Sequence, residues 1–120
     1  MKTILTVEDD KEVRDMIVEI TESLGYEVLE AQNAREAIEM VQKNHIDLIL
    51  LDINMPGARG NHFLKFIRSR KVRIPVIIVS GYLEKDILRQ ISELEVPAVL
   101  TKPLRVDRLQ EELDKIFASS

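Results

Sequence analysis

No cysteine occurs in the 120 residues, which excludes disulfides, thiolate metal sites and thiol nucleophiles and fits a reducing compartment. Tryptophan is missing too, and the aromatic content is two tyrosines and three phenylalanines. With a net charge of −4 and neither a basic face nor an aromatic stacking platform, no direct nucleic-acid partner is expected. Long hydrophobic runs are also absent. Met1-Lys2-Thr3-Ile4-Leu5 soon meets Glu8, Asp9 and Asp10, too short a run for a signal peptide, and nothing is long enough to span a bilayer. A cytoplasmic protein without a membrane partner is therefore expected. There is no internal repeat, low-complexity stretch or linker. The length suits one domain, residues 1–120, with a core that needs no staples. With helical periodicity reaching almost to Ser119-Ser120, no attached output domain is expected within these 120 residues.

Short apolar runs alternate with stretches of helical period. The runs are Thr3–Val7, Glu27–Ala31, Asp47–Asp52, Pro75–Ser80 and Ala98–Thr101. Between them, Val13, Ile17, Ile20 and Leu24 recur at helical spacing, with Gly25 as a stop. Asn33 and Glu36 form a capping pair ahead of Ala37, Ile38 and Val41. Phe63 and Ile67 mark a third helix starting near Gly60. Leu83, Ile87, Ile91 and Leu94 mark a fourth, and Val106, Leu109, Leu113 and Ile116 a fifth. Five strands alternating with five helices predict an α/β fold, a doubly wound parallel sheet with helices on both faces and right-handed crossovers. Ile46-Asp47-Leu48-Ile49-Leu50-Leu51-Asp52 has little polar alternation, so its strand is read as covered on both faces.

In a parallel sheet all carboxyl ends share one edge, where open α/β sheets place their ligand sites. There the first strand delivers Glu8 and Asp9, the third Asp52, the fourth Ser80 and the fifth Lys102-Pro103. Each has a plain alternative. Glu8 and Asp9 could open the first helix against its dipole, Ser80 before Gly81 could be a turn residue, and Lys102 could lie on the surface. Their convergence on one edge favours a site. Two carboxylates about 4 Å apart repel by roughly 4 kcal/mol at an effective dielectric near 20, so three gathered together call for a cation. Oxygen ligands without His or Cys select a hard ion such as Mg²⁺, which leaves coordination positions open for a phosphate oxygen. Lys102 and the Ser80 hydroxyl would then serve the remaining phosphate oxygens, Gly81 leaves room for approach, and the site is expected to accept phosphate onto a carboxylate, since Asp can take a phosphoryl group covalently.

Four segments carry a resemblance to a family: Ile4-Leu5-Thr6-Val7-Glu8-Asp9-Asp10, Asp47 through Gly57 with Asp52-Ile53-Asn54-Met55-Pro56-Gly57, Pro75-Val76-Ile77-Ile78-Val79-Ser80-Gly81, and Leu100-Thr101-Lys102-Pro103. Together, in this order and spacing, they resemble the receiver domain of two-component response regulators, in its single-domain, chemotaxis-regulator-like form, over essentially the whole chain. The resemblance implies a flavodoxin-like fold with strand order 2-1-3-4-5. It implies that Asp52 accepts a phosphoryl group from a sensor histidine kinase or a histidine phosphotransfer protein. It further implies Mg²⁺ held by Glu8, Asp9, Asp52 and the backbone carbonyl of Asn54, with Glu8 acting through a water. Ser80 would swing toward the acyl phosphate, Lys102 would pair with it, and the Lys102–Pro103 bond would be cis.

Several positions depart from the commoner family residues. Glu8 and Ser80 replace Asp and Thr and keep the chemistry, with altered metal affinity expected from the longer acid. Val99 stands where Tyr or Phe is frequent, so no large rotor reports the switch on the face made by the fourth helix, last strand and last helix. Glu95 replaces a frequent glycine at the end of the fourth helix. Tyr82 is expected to cover the acyl phosphate and slow attacking water, which an unchanged dephosphorylation rate in Tyr82→Ala would refute. His45 and His62 read as surface residues. Arg68, Arg70, Lys71 and Arg73 read as a solvated helix end.

Three rivals fare worse. A haloacid-dehalogenase-like phosphatase uses a second Asp two residues after its nucleophile, where Asn54 stands here and cannot exchange a proton as a carboxyl does. A partner-binding scaffold has no need of so costly an acidic cluster, and a flavin-binding domain lacks its phosphate loop. The protein is read as a single-domain regulator, or the receiver portion of a longer signalling protein, that catalyses only its own phosphorylation and dephosphorylation, with an unnamed downstream target protein and switching by population shift.

Overall fold

Strand β3 (Leu48–Asp52) lies at the centre of the sheet, with β1 (Thr3–Val7) and then β2 (Glu27–Ala31) on one side and β4 (Val76–Ser80) and then β5 (Ala98–Thr101) on the other. The order is β2-β1-β3-β4-β5, and all four pairings are parallel. These are features of a computed structural model, which describes residues 1–53, 60–70, 72–81, 89 and 96–118. The helices among the described residues are α1 (Lys11–Ser23), α2 (Ala34–Lys43), α3 (Gly60–Ser69) and α4 (Val106–Ala118). The α4 segment is the last helix predicted from periodicity. The helix expected over Leu83, Ile87, Ile91 and Leu94, together with Asn54, Tyr82 and Glu95, lies outside the described residues.

The parallel sheet separates two apolar layers. On one face Leu5, Val7, Ile49, Leu51 and Ile78 pack with Ala34 and Ala37 of α2 and Phe63, Leu64 and Ile67 of α3. On the other, Ile4, Leu48, Leu50, Ile77 and Val79 pack with Ile17 of α1 and Leu109 and Leu113 of α4. Alternate strand residues therefore serve opposite layers, and every residue of β3 and β4 is buried. The expectation of a strand covered on both faces is met.

Local chemistry sets the helix ends. Asp10, not Glu8 or Asp9, caps α1, accepting from the amides of Glu12 and Val13. Gly25, at φ +94°, turns the chain after α1 and donates to the Glu22 carbonyl at 3.0 Å. Asn33 caps α2 as predicted, accepting from the Glu36 amide. The Glu36 side chain, however, reaches one residue further back, to the amide and side chain of Gln32. Val106, placed in the core stripe by its spacing, is 46% exposed because it opens α4, while Leu109 and Leu113 are buried.

The third strand begins at Leu48 rather than Asp47. Asp47 is engaged with Thr3 instead: its amide donates to the Thr3 carbonyl at 2.8 Å and its carboxylate accepts the Thr3 amide at 2.8 Å. That hydrogen bond from Thr3 holds the Asp47 carboxyl below its ordinary value, helped by exposed His45 at 3.0 Å, while partial burial opposes the shift. Asp47→Ala is expected to lower stability by about 1–2 kcal/mol, the scale of a hydrogen bond to a charged acceptor. A carboxyl with a depressed folded pKa stabilises above its unfolded pKa, and that contribution is lost as pH falls through the folded value. The wild-type advantage over Asp47→Ala in urea unfolding should therefore be full at neutral pH and shrink below about pH 4.

Of the four basic residues read as a helix end, Arg68 lies in the last turn of α3 and Arg70 follows it, while Lys71 lies outside the described residues. Arg68 donates to the Val72 carbonyl at 2.8 Å, and the Arg70 guanidinium lies 5.1 Å from the centre of the Phe66 ring. His45 is a surface residue, while the side chain of His62 is not among those described.

Candidate functional site

The carboxyl ends of β1, β3, β4 and β5 converge as the topology requires. Glu8 follows β1 directly, and its amide continues the ladder by donating to the Ala31 carbonyl of β2 at 3.0 Å. Asp52 ends β3 and pairs in register with Val79, so Ser80 stands one residue past it on the adjoining strand. The amide of Lys102 donates to the Ser80 carbonyl at 3.0 Å and extends the β4–β5 ladder, which sets Lys102 beside Ser80. The Lys102–Pro103 bond is cis, as the family resemblance implied.

The three carboxylates meet. Glu8, Asp9 and Asp52 each bring one oxygen within 4.8 Å of the others. Glu8 and Asp52 are only 1% and 4% exposed, whereas Asp9 is exposed. The Lys102 ammonium enters this cluster, 2.6 Å from Glu8 Oε1 and 3.5 Å from Asp52 Oδ2. Lys102 also lines an apolar groove with Val13, Met16, Ile17, Val79, Pro103 and Leu104.

The electrostatics follow from burial and crowding. Burial pushes the Glu8 carboxyl up to about 7, Lys102 opposes the rise, and the neighbouring Asp52 and Asp9 carboxylates add to it. Burial also works against the Lys102 ammonium, but Glu8 and Asp52 outweigh it and raise Lys102 above its ordinary value.

A hard cation fits this donor set. The oxygens come from three acids with no nitrogen or sulfur ligand among them. Glu8 Oε2 accepts the Asp10 amide at 3.3 Å, while buried Oε1 lies 2.6 Å from the Lys102 ammonium. Among the described residues no cation pairs with Asp9, so its charge adds repulsion to the metal-free site. Asp9→Asn is expected to stabilise the metal-free protein by about 1 kcal/mol, a fraction of the Coulomb estimate because Asp9 faces solvent. The same change should abolish most of the rise in melting temperature that Mg²⁺ produces in the wild type. Thermal unfolding of both proteins with and without Mg²⁺ checks both signs.

Two features escaped the sequence reading. Arg14, on the second turn of α1, donates to the Glu8 carbonyl at 2.8 Å and to Glu30 of β2 at 3.2 Å, so it clamps the backbone that presents Glu8. A cation six residues after Glu8, on the helix leaving the acidic strand end, was the available signal. Thr6, two residues before Glu8, is buried with a hydroxyl that has no hydrogen-bond partner among the described residues. Asn54, expected to contribute a backbone carbonyl, lies outside them.

Comparison with known proteins places this architecture. The family model for the response regulator receiver domain matches residues 4–114. The chain belongs to that family. As a receiver domain it is a phosphoacceptor in two-component signalling, a signalling protein rather than an enzyme with an outside product. It is 32% identical to sporulation initiation phosphotransferase F of Bacillus subtilis, over 93% of this chain and 90% of that protein. It is 30% identical to chemotaxis protein CheY-3 of Vibrio cholerae, over 95% of this chain and 90% of that protein. The solved structure of Vibrio cholerae chemotaxis protein CheY4 superposes with a TM-score of 0.88 at 27% identity, covering 97% of this receiver and 98% of that chain. The flavodoxin-like sheet order is the one the four sequence segments implied.

Proposed function

We propose that Asp52 is the phosphoryl acceptor of a single receiver unit spanning residues 1–120, in a Mg²⁺-dependent reaction fed by a sensor histidine kinase or a histidine phosphotransfer protein. The observation that carries this reading is the meeting of Glu8, Asp9 and Asp52 around one point with Lys102 at 2.6 and 3.5 Å from two of them. Bound Mg²⁺ would neutralise phosphoryl oxygens and lower the repulsion between them and the acids. Glu8, Asp9, Asp52 and the Asn54 carbonyl would hold it, Glu8 through a water.

An Asp52 carboxylate oxygen forms the new bond to phosphorus as the bond to the donor nitrogen breaks, and the donor imidazole leaves with its electron pair. Lys102 and the Ser80 hydroxyl then meet the phosphoryl oxygens on the side away from the metal. Water attacking phosphorus later releases inorganic phosphate and restores Asp52. The protein itself would work in the cytoplasm; among the described residues no helix is long and apolar enough to cross a membrane. A fifth helix over 83–94 completes the proposed fold.

Acetyl phosphate and Mg²⁺ test the reading without a kinase. One phosphoryl group per chain, dependent on Mg²⁺, is the expected result by intact mass. No gain, together with no Mg²⁺ binding, would leave a scaffold that recognises partners without phosphorylation.

A further inference from the structure

Of the three acids that meet at the sheet edge, Glu8 and Asp52 are buried and paired with Lys102, whereas Asp9 is exposed and has no cation of its own among the described residues. What fixes Asp9 is the backbone on either side of it. The Glu8 amide donates to the Ala31 carbonyl at 3.0 Å, and the Glu8 carbonyl accepts Arg14 Nη1 at 2.8 Å. A carbonyl and the amide that follows it share one rigid plane, so the bond from Arg14 also sets the Asp9 nitrogen. On the far side, the Asp10 amide donates to Glu8 Oε2 at 3.3 Å and the Asp10 side chain caps α1. Among the described residues, Arg14 alone holds the peptide unit between the first two acids.

Arg14 is itself held. Its side chain is 13% exposed, and Nε donates to Glu30 of the edge strand β2 at 3.2 Å while Nη1 turns to Glu8. Two nitrogens of one planar guanidinium thus tie the acidic turn to β2, a span that the single ammonium of a lysine does not cover. Taking the acidic cluster as the Mg²⁺ site proposed above, we propose that Arg14 is the positioning residue for Asp9 and that Glu30 orients Arg14 for that task. Arg14 acts through the backbone, presenting Asp9 to Glu8 and Asp52 so that each of the three offers an oxygen within 4.8 Å of the others. Its positive charge works in the opposite sense, since a cation beside the cluster repels an incoming Mg²⁺. Glu30 offsets that charge, so geometry decides the sign.

Mg²⁺ titration followed by amide NMR, with no phosphodonor, tests the proposal. In Arg14→Ala the affinity should fall by about tenfold, the low end of what groups that hold a metal ligand in place contribute. Arg14→Lys keeps the charge, should change in the same direction, and serves if the alanine variant folds poorly. Unchanged affinity in a folded variant would leave Arg14 a structural residue only, and raised affinity would leave it a repelling charge; either overturns the proposal. Glu30→Ala alone should weaken Mg²⁺ binding and should add nothing in the Arg14→Ala background. An equal loss in both backgrounds would mean that Glu30 acts by its charge, which overturns its orienting role. In the metal-free protein, the backbone order parameter of Asp9 should drop from about 0.85 toward about 0.6 in either Arg14 variant, while that of Leu50 stays unchanged. An Asp9 as rigid in the variants as in wild type overturns the hold itself. Absence of any saturable Mg²⁺ shift in wild type would instead overturn the metal reading, and the order parameters, taken without metal, still decide whether Arg14 holds Asp9.

Discussion

Replacing Lys102 by alanine is expected to cost the metal-free protein about 3–5 kcal/mol, the range seen when one partner of a buried ion pair is removed. The cost is large because Glu8 and Asp52 are almost fully buried and Lys102 is the cation paired with both. Removing it leaves two carboxylates facing each other with Asp9 beside them. Truncation also removes a side chain that lines the groove with Val13 and Leu104, a smaller loss of packing. The penalty has a pH signature. Glu8 carries a folded pKa raised to about 7, so in acid it is neutral and needs Lys102 less. A group raised in the folded state stabilises at low pH and loses that contribution as pH rises through its folded value. The gap between wild type and Lys102→Ala should thus widen from pH 6 to pH 8. Urea unfolding at the two pH values measures it. A gap that is small and flat with pH would mean that solvent already screens the cluster.

Asp52→Asn is expected to abolish phosphorylation, with the rate falling by a factor on the order of 10³ or more, since the amide offers no anionic nucleophile. It is close to isosteric, so the fold should persist. Its effect on stability should be modest and favourable, because one of three crowded negative charges disappears while the shorter Lys102–Glu8 contact remains. Loss of reaction together with retained or increased stability separates a chemical role from a structural one. Mass gain is the readout for the first and the urea midpoint for the second. A loss of reaction accompanied by unfolding would instead make Asp52 a structural acid.

Much of the fold is written in hydrophobic runs. Leu48-Ile49-Leu50-Leu51 and Val76-Ile77-Ile78-Val79 are buried on both faces because helices cover the sheet from each side, and an unbroken apolar run is the signature of that burial. Strand ends were less exact: Asp47 looks like part of a strand, but its pairing with Thr3 forty-four positions away decides otherwise. Glu8, Asp9 and Asp10 show the same limit at finer grain. Three consecutive acids look interchangeable in sequence. The alternation at the end of β1 buries Glu8, leaves Asp9 at the rim and turns Asp10 to cap α1. The motif marked Glu8, Asp9, Asp52, Ser80 and Lys102 as a set, and sheet topology alone brings them to one edge. That Lys102 lies nearer Glu8 than Asp52, and that Arg14 holds the Glu8 backbone while reaching Glu30 of β2, are matters of three-dimensional placement. Such facts belong to the assembled core. Val99 lies on β5 and is 37% exposed.

The most direct test of the account is to locate the phosphoryl group. Wild-type protein treated with acetyl phosphate and Mg²⁺ is reduced with borohydride, which converts an aspartyl phosphate to homoserine, and is then mapped by peptide mass spectrometry. Homoserine at position 52 alone, in the Mg²⁺-treated sample alone, is the predicted result. Conversion at Glu8 or Asp9, or an equal yield without Mg²⁺, would contradict it.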